Sequence, residues 1–131
     1  MLESVPAVRQ LETSRPDLLA VEIVGHVSSA DAENLYGLLQ AAYALHPRID
    51  VLVRMVDYDG ADWNEISEET LNGGKVLARE HVGRCAAVGD PDWTVDVQGW
   101  FTSVEPIELR HFSDEAEAWA WLGATQVEEE V

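Results

Sequence analysis

The apolar residues of this chain fall into two kinds of run. Short runs rich in β-branched residues, such as residues 49–56 and 85–88, break abruptly into Gly, Asp and Pro. That pattern is typical of buried strands that lead into helices in α/β proteins. Longer segments between them repeat an apolar residue every three or four positions, which predicts amphipathic helices. The chain is therefore predicted to alternate strands and helices.

The first elements are predicted to be a hairpin and a helix. Residues 7–13 form an expected edge strand, and residues 18–24 form the next strand after the turn chemistry of residues 14–17. Ser28 and Asp31 have capping-box spacing, so a helix is expected to begin there. Its predicted apolar face is Leu35, Leu38, Leu39, Ala42 and Leu45.

The middle of the chain is predicted to be a strand followed by a second helix. Pro47 ends the first helix, because the residue before a proline avoids helical geometry. Residues 49–56 then form a strand and residues 66–81 a helix. That helix contains Gly73 and Gly74 near its middle, and each costs about 1 kcal/mol relative to alanine. Two such residues predict close packing on the sheet or a bend.

The next strand is predicted to lead into a third helix. Residues 85–88 form the strand, and Asp90 can cap a helix with Pro91 at its first position. A missing backbone N–H does no harm at that position. The predicted apolar face of this helix is Trp93, Val97, Trp100, Phe101 and Val104.

A last strand and helix complete the predicted order ββαβαβαβα. The strand covers residues 106–112, and Ser113 is expected to cap the final helix. Trp119 and Leu122 are expected to face inward, and Gly123 to end that helix. Strands separated by helices should run parallel with right-handed crossovers. The fold class is therefore α/β, a five-stranded mixed sheet whose first strand is antiparallel and at or near an edge.

The net charge of the chain limits the classes of partner that it can bind. It carries 25 acidic and 8 basic side chains, a net charge of −17. Such a surface repels nucleic-acid phosphates and anionic lipid headgroups, so no nucleic-acid partner is expected. The acidity favours either solubility alone or attraction to a basic partner.

The length of 131 residues predicts one domain, taken as residues 7–123, with frayed termini at 1–6 and 124–131. The first residues lack the features of a signal peptide, and no segment approaches the roughly 18 apolar residues of a membrane span. A cytoplasmic protein without stable membrane insertion is expected. The single cysteine, Cys85, excludes an internal disulfide, and a homodimer is compatible with the sequence.

Three stretches resemble a known family. They are YDG at residues 58–60, CAAVGDPDW at residues 85–93 and RHFSDEAEAWAWL at residues 110–122. Together with the order of elements and the length, they resemble the SpoIIAA-like family of STAS and CRAL-TRIO-type domains over residues 7–123. This resemblance implies a βα superhelix in which helices cover both faces of the sheet.

The resemblance also implies a choice of functions. STAS domains act as anti-sigma-factor antagonists or as regulatory modules on transporters, whereas CRAL-TRIO domains hold apolar ligands. Phosphorylatable STAS antagonists carry an Asp-Ser pair at the start of the second helix. Ser67 and Thr70 lie near that position here, but the segment contains no Asp-Ser step and three glutamates crowd it. A phosphate at Ser67 is therefore disfavoured by charge repulsion.

The acidic stretch that begins at Asp57 has part of the pattern of a calcium-binding loop, but it lacks the residues that such a loop needs at its turn. Glu68 is the twelfth residue from Asp57, where an EF-hand needs a glutamate. Ala61 and Asp62 stand where that loop needs an oxygen ligand and a glycine. A solvated acidic loop at the start of a helix is the better interpretation. No metal site is predicted.

The remaining chemistry of the sequence is also weak. The four histidines, His26, His46, His81 and His111, form no i,i+4 pair that would hold zinc. Cys85 falls in a predicted buried strand, where a thiol behaves as a small hydrophobe. Gly73-Gly74-Lys75 lies within a predicted helix and lacks the spacing of a phosphate-binding loop. We therefore predict no cofactor and no catalytic activity.

Two hypotheses of function remain. The first is a non-enzymatic regulatory module that uses its acidic surface and second helix to bind a basic protein partner. The alternative is a carrier or sensor of a small apolar ligand, bound between the second and third predicted helices at the carboxyl ends of the strands. The candidate ligand-binding residues are Trp63, Gly73, Gly74, Trp93, Val97, Trp100 and Phe101.

Overall fold

The structure, a computed structural model, describes residues 7–90 and 107–127. The strands are β1 (Val8–Leu11), β2 (Leu18–Val27), β3 (Ile49–Ala61), β4 (Val82–Val88) and β5 (Glu108–Phe112). The helices in these ranges are α1 (Ser29–Leu45), α2 (Glu68–His81) and α3 (Glu115–Leu122), and a short 3-10 helix covers Trp63–Glu65. The predicted helix that begins at Pro91 lies outside the described residues.

The five strands form one mixed sheet in the order β1-β2-β3-β4-β5. β1 pairs antiparallel with β2, and the pairs β2–β3, β3–β4 and β4–β5 are all parallel. The prediction of a mixed sheet with an antiparallel first strand at its edge is confirmed. Because the order in space follows the order in the chain, each described parallel pair joins consecutive strands.

The core consists of two apolar layers, one on each face of the sheet. Alternate residues of β3 supply both: Val51, Val53 and Met55 pack with α1 and α2, whereas Leu52 packs with α3. Leu52 is completely buried, as expected for a central strand covered on both faces. The prediction of helices on both faces is therefore confirmed. Within the described ranges, no helix is both long and apolar enough to cross a membrane.

The predicted capping box begins α1. The Ser28 hydroxyl accepts a hydrogen bond from the Asp31 backbone N–H at 3.2 Å, and the Asp31 carboxylate accepts one from the Ser28 N–H at 3.0 Å. Burial raises the pKa of Asp31, but hydrogen bonds to its carboxylate from the Ser28 N–H, the Ser28 hydroxyl and the Ala7 N–H outweigh burial and hold that pKa below its usual range. The box thus ties the start of the helix to the chain before β1.

The predicted apolar face of α1 is wrong at its last position. Leu45 is 76% exposed, and Tyr43 is buried in its place. The Tyr43 ring stacks on the His81 ring of α2, with 4.6 Å between centroids. Residues two apart lie on nearly opposite sides of a helix, so Leu45 points outward once Tyr43 points inward.

The final helix begins one residue later than predicted. Its N-cap is Asp114, not Ser113, and the Asp114 carboxylate accepts a hydrogen bond from the Ala116 N–H at 2.9 Å. Both residue types are strong N-caps, so local preference does not separate Ser113 from Asp114. Trp119 is buried as predicted, and Gly123 ends the helix in the left-handed conformation with φ 67°.

The described chain after α3 is attached to the hairpin turn. Thr13 and Gln126 form an antiparallel bridge, and the Val127 N–H donates to the Glu12 carbonyl oxygen at 2.9 Å. The prediction of a frayed terminus is therefore wrong for residues 124–127. The predicted edge strand is also shorter, because β1 ends at Leu11 and Thr13 pairs with this segment instead.

The burial of β3 on both faces predicts how strongly truncation of a leucine lowers the free energy of unfolding. We expect Leu52→Ala to lower the free energy of unfolding by about 2–5 kcal/mol, because it leaves a cavity between two packed layers. Leu45→Ala is the matched control and should change it by less than about 0.5 kcal/mol, since that side chain is exposed. Urea unfolding followed by circular dichroism measures both. Equal losses in the two variants would contradict this assignment of the core.

Candidate functional site at the carboxyl edge of the sheet

The parallel strands β2, β3 and β4 end at one edge of the sheet, which we call the carboxyl edge. β2 leads there into the capped start of α1, and β3 leads through the 3-10 helix into the start of α2. In open α/β sheets, ligands and partners bind outside the carboxyl ends of the strands. This edge therefore holds the candidate site.

β3 reaches further along this edge than predicted because it bulges against β2. Val24 pairs with Val56, and the next pair is His26 with Gly60. Between these pairs β3 contributes residues 57–59, whereas β2 contributes only Gly25. Asp57 lies in the extra stretch with φ 50°, a conformation that is uncommon for a residue other than glycine. Pairing then resumes and extends β3 to Ala61.

His26 of β2 lies between two carboxylates, those of Asp59 in the bulge and Asp62 after it. Its Nδ1 lies 3.0 Å from Asp59 Oδ1, and its Nε2 lies 2.5 Å from Asp62 Oδ1. The hydrogen bond to Asp62, and secondarily the one to Asp59, raises the pKa of His26 above its ordinary value. We call these three side chains the His26 clamp. Sequence analysis missed it, because its members meet only through the bulged register of β2 and β3.

The His26 clamp is not arranged as a metal site. The two carboxylates approach different nitrogens, on different sides of the imidazole ring. In the described ranges, no group of three or more His, Cys, Asp or Glu side chains is placed to hold a metal ion. The clamp is therefore best described as a set of charged hydrogen bonds.

Ser67 is the N-cap of α2. Its hydroxyl accepts a hydrogen bond from the Thr70 N–H at 3.1 Å and donates to Thr70 Oγ1 at 2.8 Å. Thr70 Oγ1 in turn donates to a carboxylate oxygen of Glu33 on α1, at 2.6 Å. The hydroxyl thus completes a chain that joins the starts of the two helices. A phosphate on Ser67 stays a disfavoured prediction, because Glu33, Glu68 and Glu69 surround this position with negative charge.

The two glycines of α2 have different surroundings. A side chain at Gly73 would meet the Tyr36 hydroxyl of α1, which lies 2.8 Å from the position of its Cβ. The absent side chain therefore lets α1 approach α2. Gly74 is buried in the same helix. Trp63 begins the 3-10 helix, and the other predicted pocket residues, Trp93, Val97, Trp100 and Phe101, lie outside the described residues.

Cys85 is fully buried in β4, as predicted. Burial raises the pKa of its thiol to about 12, so almost no thiolate exists at neutral pH. Two other described histidines lie within hydrogen-bond distance of backbone carbonyl oxygens. His81 lies 2.7 Å from the Pro47 carbonyl oxygen through Nδ1, and His111 lies 2.9 Å from the Gly89 carbonyl oxygen through Nε2.

The carboxyl edge is acidic and almost without counter-charge. Six carboxylates follow one another along it: Asp57, Asp59, Asp62, Glu65, Glu68 and Glu69. Across the described ranges, no Lys or Arg lies within 4.0 Å of any of them, and His26 is the one basic group that does. The edge can therefore attract a basic group from outside.

Comparisons with known proteins agree with this fold. The model of the SpoIIAA-like family matches residues 18–123. A crystal structure of an uncharacterised protein from Shewanella loihica PV-4, assigned to the DUF3478 family with a SpoIIAA-like fold, superposes with a TM-score of 0.67 at 26% sequence identity. That match covers 93% of this chain and 98% of the other. No curated protein matches the chain significantly. The chain belongs to the SpoIIAA-like family, and the predicted resemblance is confirmed.

The capping role of Ser67 makes a prediction about stability. We expect Ser67→Ala to lower the free energy of unfolding by about 1 kcal/mol, because the Thr70 N–H loses its acceptor. Ser67→Asp should retain most of this stability, since an aspartate caps equally well. Urea unfolding of both variants measures the difference. If the Asp variant loses as much as the Ala variant, charge repulsion from the neighbouring glutamates outweighs the cap.

Proposed function

We propose that this protein is a non-enzymatic regulatory module that binds a basic protein partner at its carboxyl edge. The observation that carries the proposal is the run of six carboxylates that no Lys or Arg neutralises in the described residues. Clustered charges of one sign raise the local potential and speed the approach of an oppositely charged partner. The family supports an interaction module without naming a partner.

The contrast with the rest of the molecule supports this assignment. Elsewhere, some carboxylates are paired with arginines, such as Asp50 with Arg15 at 2.9 Å and Glu22 with Arg54 at 2.6 Å. The arginine in such a pair neutralises its carboxylate, which therefore attracts an outside partner only weakly. Of the six carboxylates of the carboxyl edge, Asp59 and Asp62 pair only with His26, and the other four have no ion pair among the described residues. The charge of those four is therefore directed to the solvent.

The start of α2 extends the proposed partner surface beyond the carboxyl edge. Glu68 and Glu69 lie in its first turn and are exposed, and Val76 further along the same helix is 48% exposed. An exposed apolar residue beside charges is a common composition for a transient protein contact. The partner surface we propose therefore combines the acidic edge with the outer face of α2.

Three groups of the described chain that could support catalysis are each engaged or inaccessible. Cys85 is buried with a raised pKa, and the Ser67 hydroxyl already bonds to Thr70. Both ring nitrogens of His26 face carboxylates, so neither is free to act as a base toward a substrate. These observations support a role in binding.

Charge neutralisation tests the proposed partner surface. We expect the triple variant of Glu65, Glu68 and Glu69 to Gln to lose most of a partner that the unaltered protein captures from its native cell. Glu12, Glu108 and Glu117 to Gln is the matched control, since it removes equal charge from exposed positions outside the carboxyl edge and α2. Captured proteins are quantified by mass spectrometry at about 50 mM and about 300 mM salt, because screening should weaken a charged contact. Equal loss in both triple variants would contradict a specific acidic surface.

Carriage of a small apolar ligand is the second candidate, and buried Gly74 favours it. Gly74 is buried in α2 and has no side chain, which supports a ligand site shared with the apolar residues predicted at 93–101. The proposed site lies between α2 and the predicted helix that begins at Pro91.

Native mass spectrometry tests this second candidate. We expect an added mass on the purified protein, lost in Gly74→Leu, because the leucine would fill the proposed site. Gly37→Leu is the control, since no atom outside its helix lies within 4 Å of a Cβ at that position. An unaltered protein without added mass, together with an intact partner contact, would leave the interaction module as the function.

A further inference from the structure

We propose that the charge of His26 regulates the partner surface at the carboxyl edge: a basic partner binds there more tightly when the imidazole is neutral than when it is charged. A guanidinium or ammonium group of the partner then replaces the imidazole as the hydrogen-bond donor to Asp59 and Asp62. This inference rests on the proposed function, because it adds regulation to the same surface.

The backbone holds both carboxylates of the His26 clamp in place. Gly60 and Ala61 pair with β2, and the Asp62 N–H donates to the Val27 carbonyl oxygen at 2.9 Å. Tyr58 and Ala61 also pack against the apolar core. These contacts do not involve the imidazole. The two carboxylates therefore stay close to the ring whether or not it is charged.

The hydrogen-bond geometry satisfies both carboxylates only when the ring is charged. His26 faces a carboxylate oxygen from each ring nitrogen, at 3.0 Å on Asp59 and 2.5 Å on Asp62. An ionised carboxylate only accepts hydrogen bonds, and a neutral imidazole carries a single N–H. Loss of the proton therefore leaves one of the two carboxylates without its donor, at a position fixed by the backbone. That carboxylate can accept a hydrogen bond from a partner.

The clamp is open to a partner from the solvent. The side chains of His26, Asp59 and Asp62 are 48%, 69% and 34% exposed. A charged imidazole beside both carboxylates repels a second cation that approaches them. A neutral imidazole does not, and an arriving guanidinium brings five N–H donors. Protonation of His26 and binding of a basic group to these carboxylates therefore oppose each other.

The surroundings of His26 set the direction of the pH dependence. In the described part of the chain, the charged groups that interact with it are Asp59, Asp62 and, at the start of α1, Asp31. The hydrogen bond to Asp62, and then the one to Asp59, raises the pKa of His26. The imidazole is therefore charged below about pH 6.5, the unperturbed pKa, and becomes neutral as the pH rises through the higher folded-state pKa. Partner affinity should rise over the same interval, and a bound partner should lower that pKa.

A hexa-arginine peptide tests this regulation, because its guanidinium groups stay charged throughout the experiment. Calorimetry at about 50 mM salt measures its affinity at about pH 5.5 and about pH 8.5, on either side of the titration of His26. We expect roughly fivefold tighter binding at the higher pH. His26→Gln cannot change its charge and should lose this difference. His46→Gln, which removes the histidine that follows α1, is the matched control and should keep it.

NMR titration of His26 in the unaltered protein gives a second measurement. A saturating amount of hexa-arginine should lower its titration midpoint by about 0.7 pH units, the logarithm of the expected fivefold change in affinity. This measurement decides the proposal even if a substitution at His26 impairs folding.

The outcomes separate this regulation from the proposed function. If hexa-arginine does not bind, or binds equally well after Glu65, Glu68 and Glu69 are changed to Gln, both the partner surface and its regulation fail. If that triple variant loses binding, the surface stands and the behaviour of His26 decides the rest. The regulation alone is overturned if the affinity is independent of pH, if His26→Gln keeps the same pH dependence, or if the peptide leaves the His26 midpoint unchanged.

Discussion

The burial of β3 on both faces is the constraint on which the rest of the structure depends. Ile49, Leu52 and Met55 are at most 2% exposed, although their side chains alternate between the two sides of the sheet. A strand in this position needs apolar layers above and below it, and a single helical layer would leave one face in water. The distribution of α1 and α2 on one face and α3 on the other satisfies that need.

This constraint also explains the contacts of Arg54, one of the two charged side chains on the buried part of β3; the other is Asp50. Arg54 is 17% exposed and bonds to Glu22 of β2 at 2.6 Å and to Glu115 of α3 at 2.9 Å. The same Glu115 oxygen accepts a hydrogen bond from the Trp119 indole N–H at 2.9 Å. Burying an unpaired guanidinium would be costly, so its partners must lie at these positions. The network thereby fixes the placement of α3 relative to β2 and β3.

The regular elements followed from the sequence because each depends on neighbouring residues. The alternation of β3, the Ser28–Asp31 capping box and the left-handed Gly123 are local patterns. Leu45 departed from its prediction because side-chain periodicity does not say where the partner helix lies. The contact that decided it, Tyr43 on His81, joins α1 to α2 across many residues of sequence.

The candidate site was harder to predict for the same reason. The acidic stretch was visible in the sequence, and so was the position of Ser67 at the start of α2. The His26 clamp depends on a bulge that shifts the pairing of β2 and β3, and register is a tertiary property. A Gly-His step opposite Asp-rich residues was the only available signal, and no local rule connects the two.

The distribution of basic residues links the fold to the acidity of the carboxyl edge. Arg15 lies at the opposite edge, where it bonds to Asp17 and Asp50 at 2.9 Å and to the Leu122 carbonyl oxygen at 2.6 Å. It thereby joins the starts of β2 and β3 to the end of α3. With only 8 basic side chains against 25 acidic ones, arginines committed to such structural contacts are not available elsewhere. The carboxyl edge is consequently left with a histidine as its nearest counter-charge, the one basic side chain whose charge changes near neutral pH.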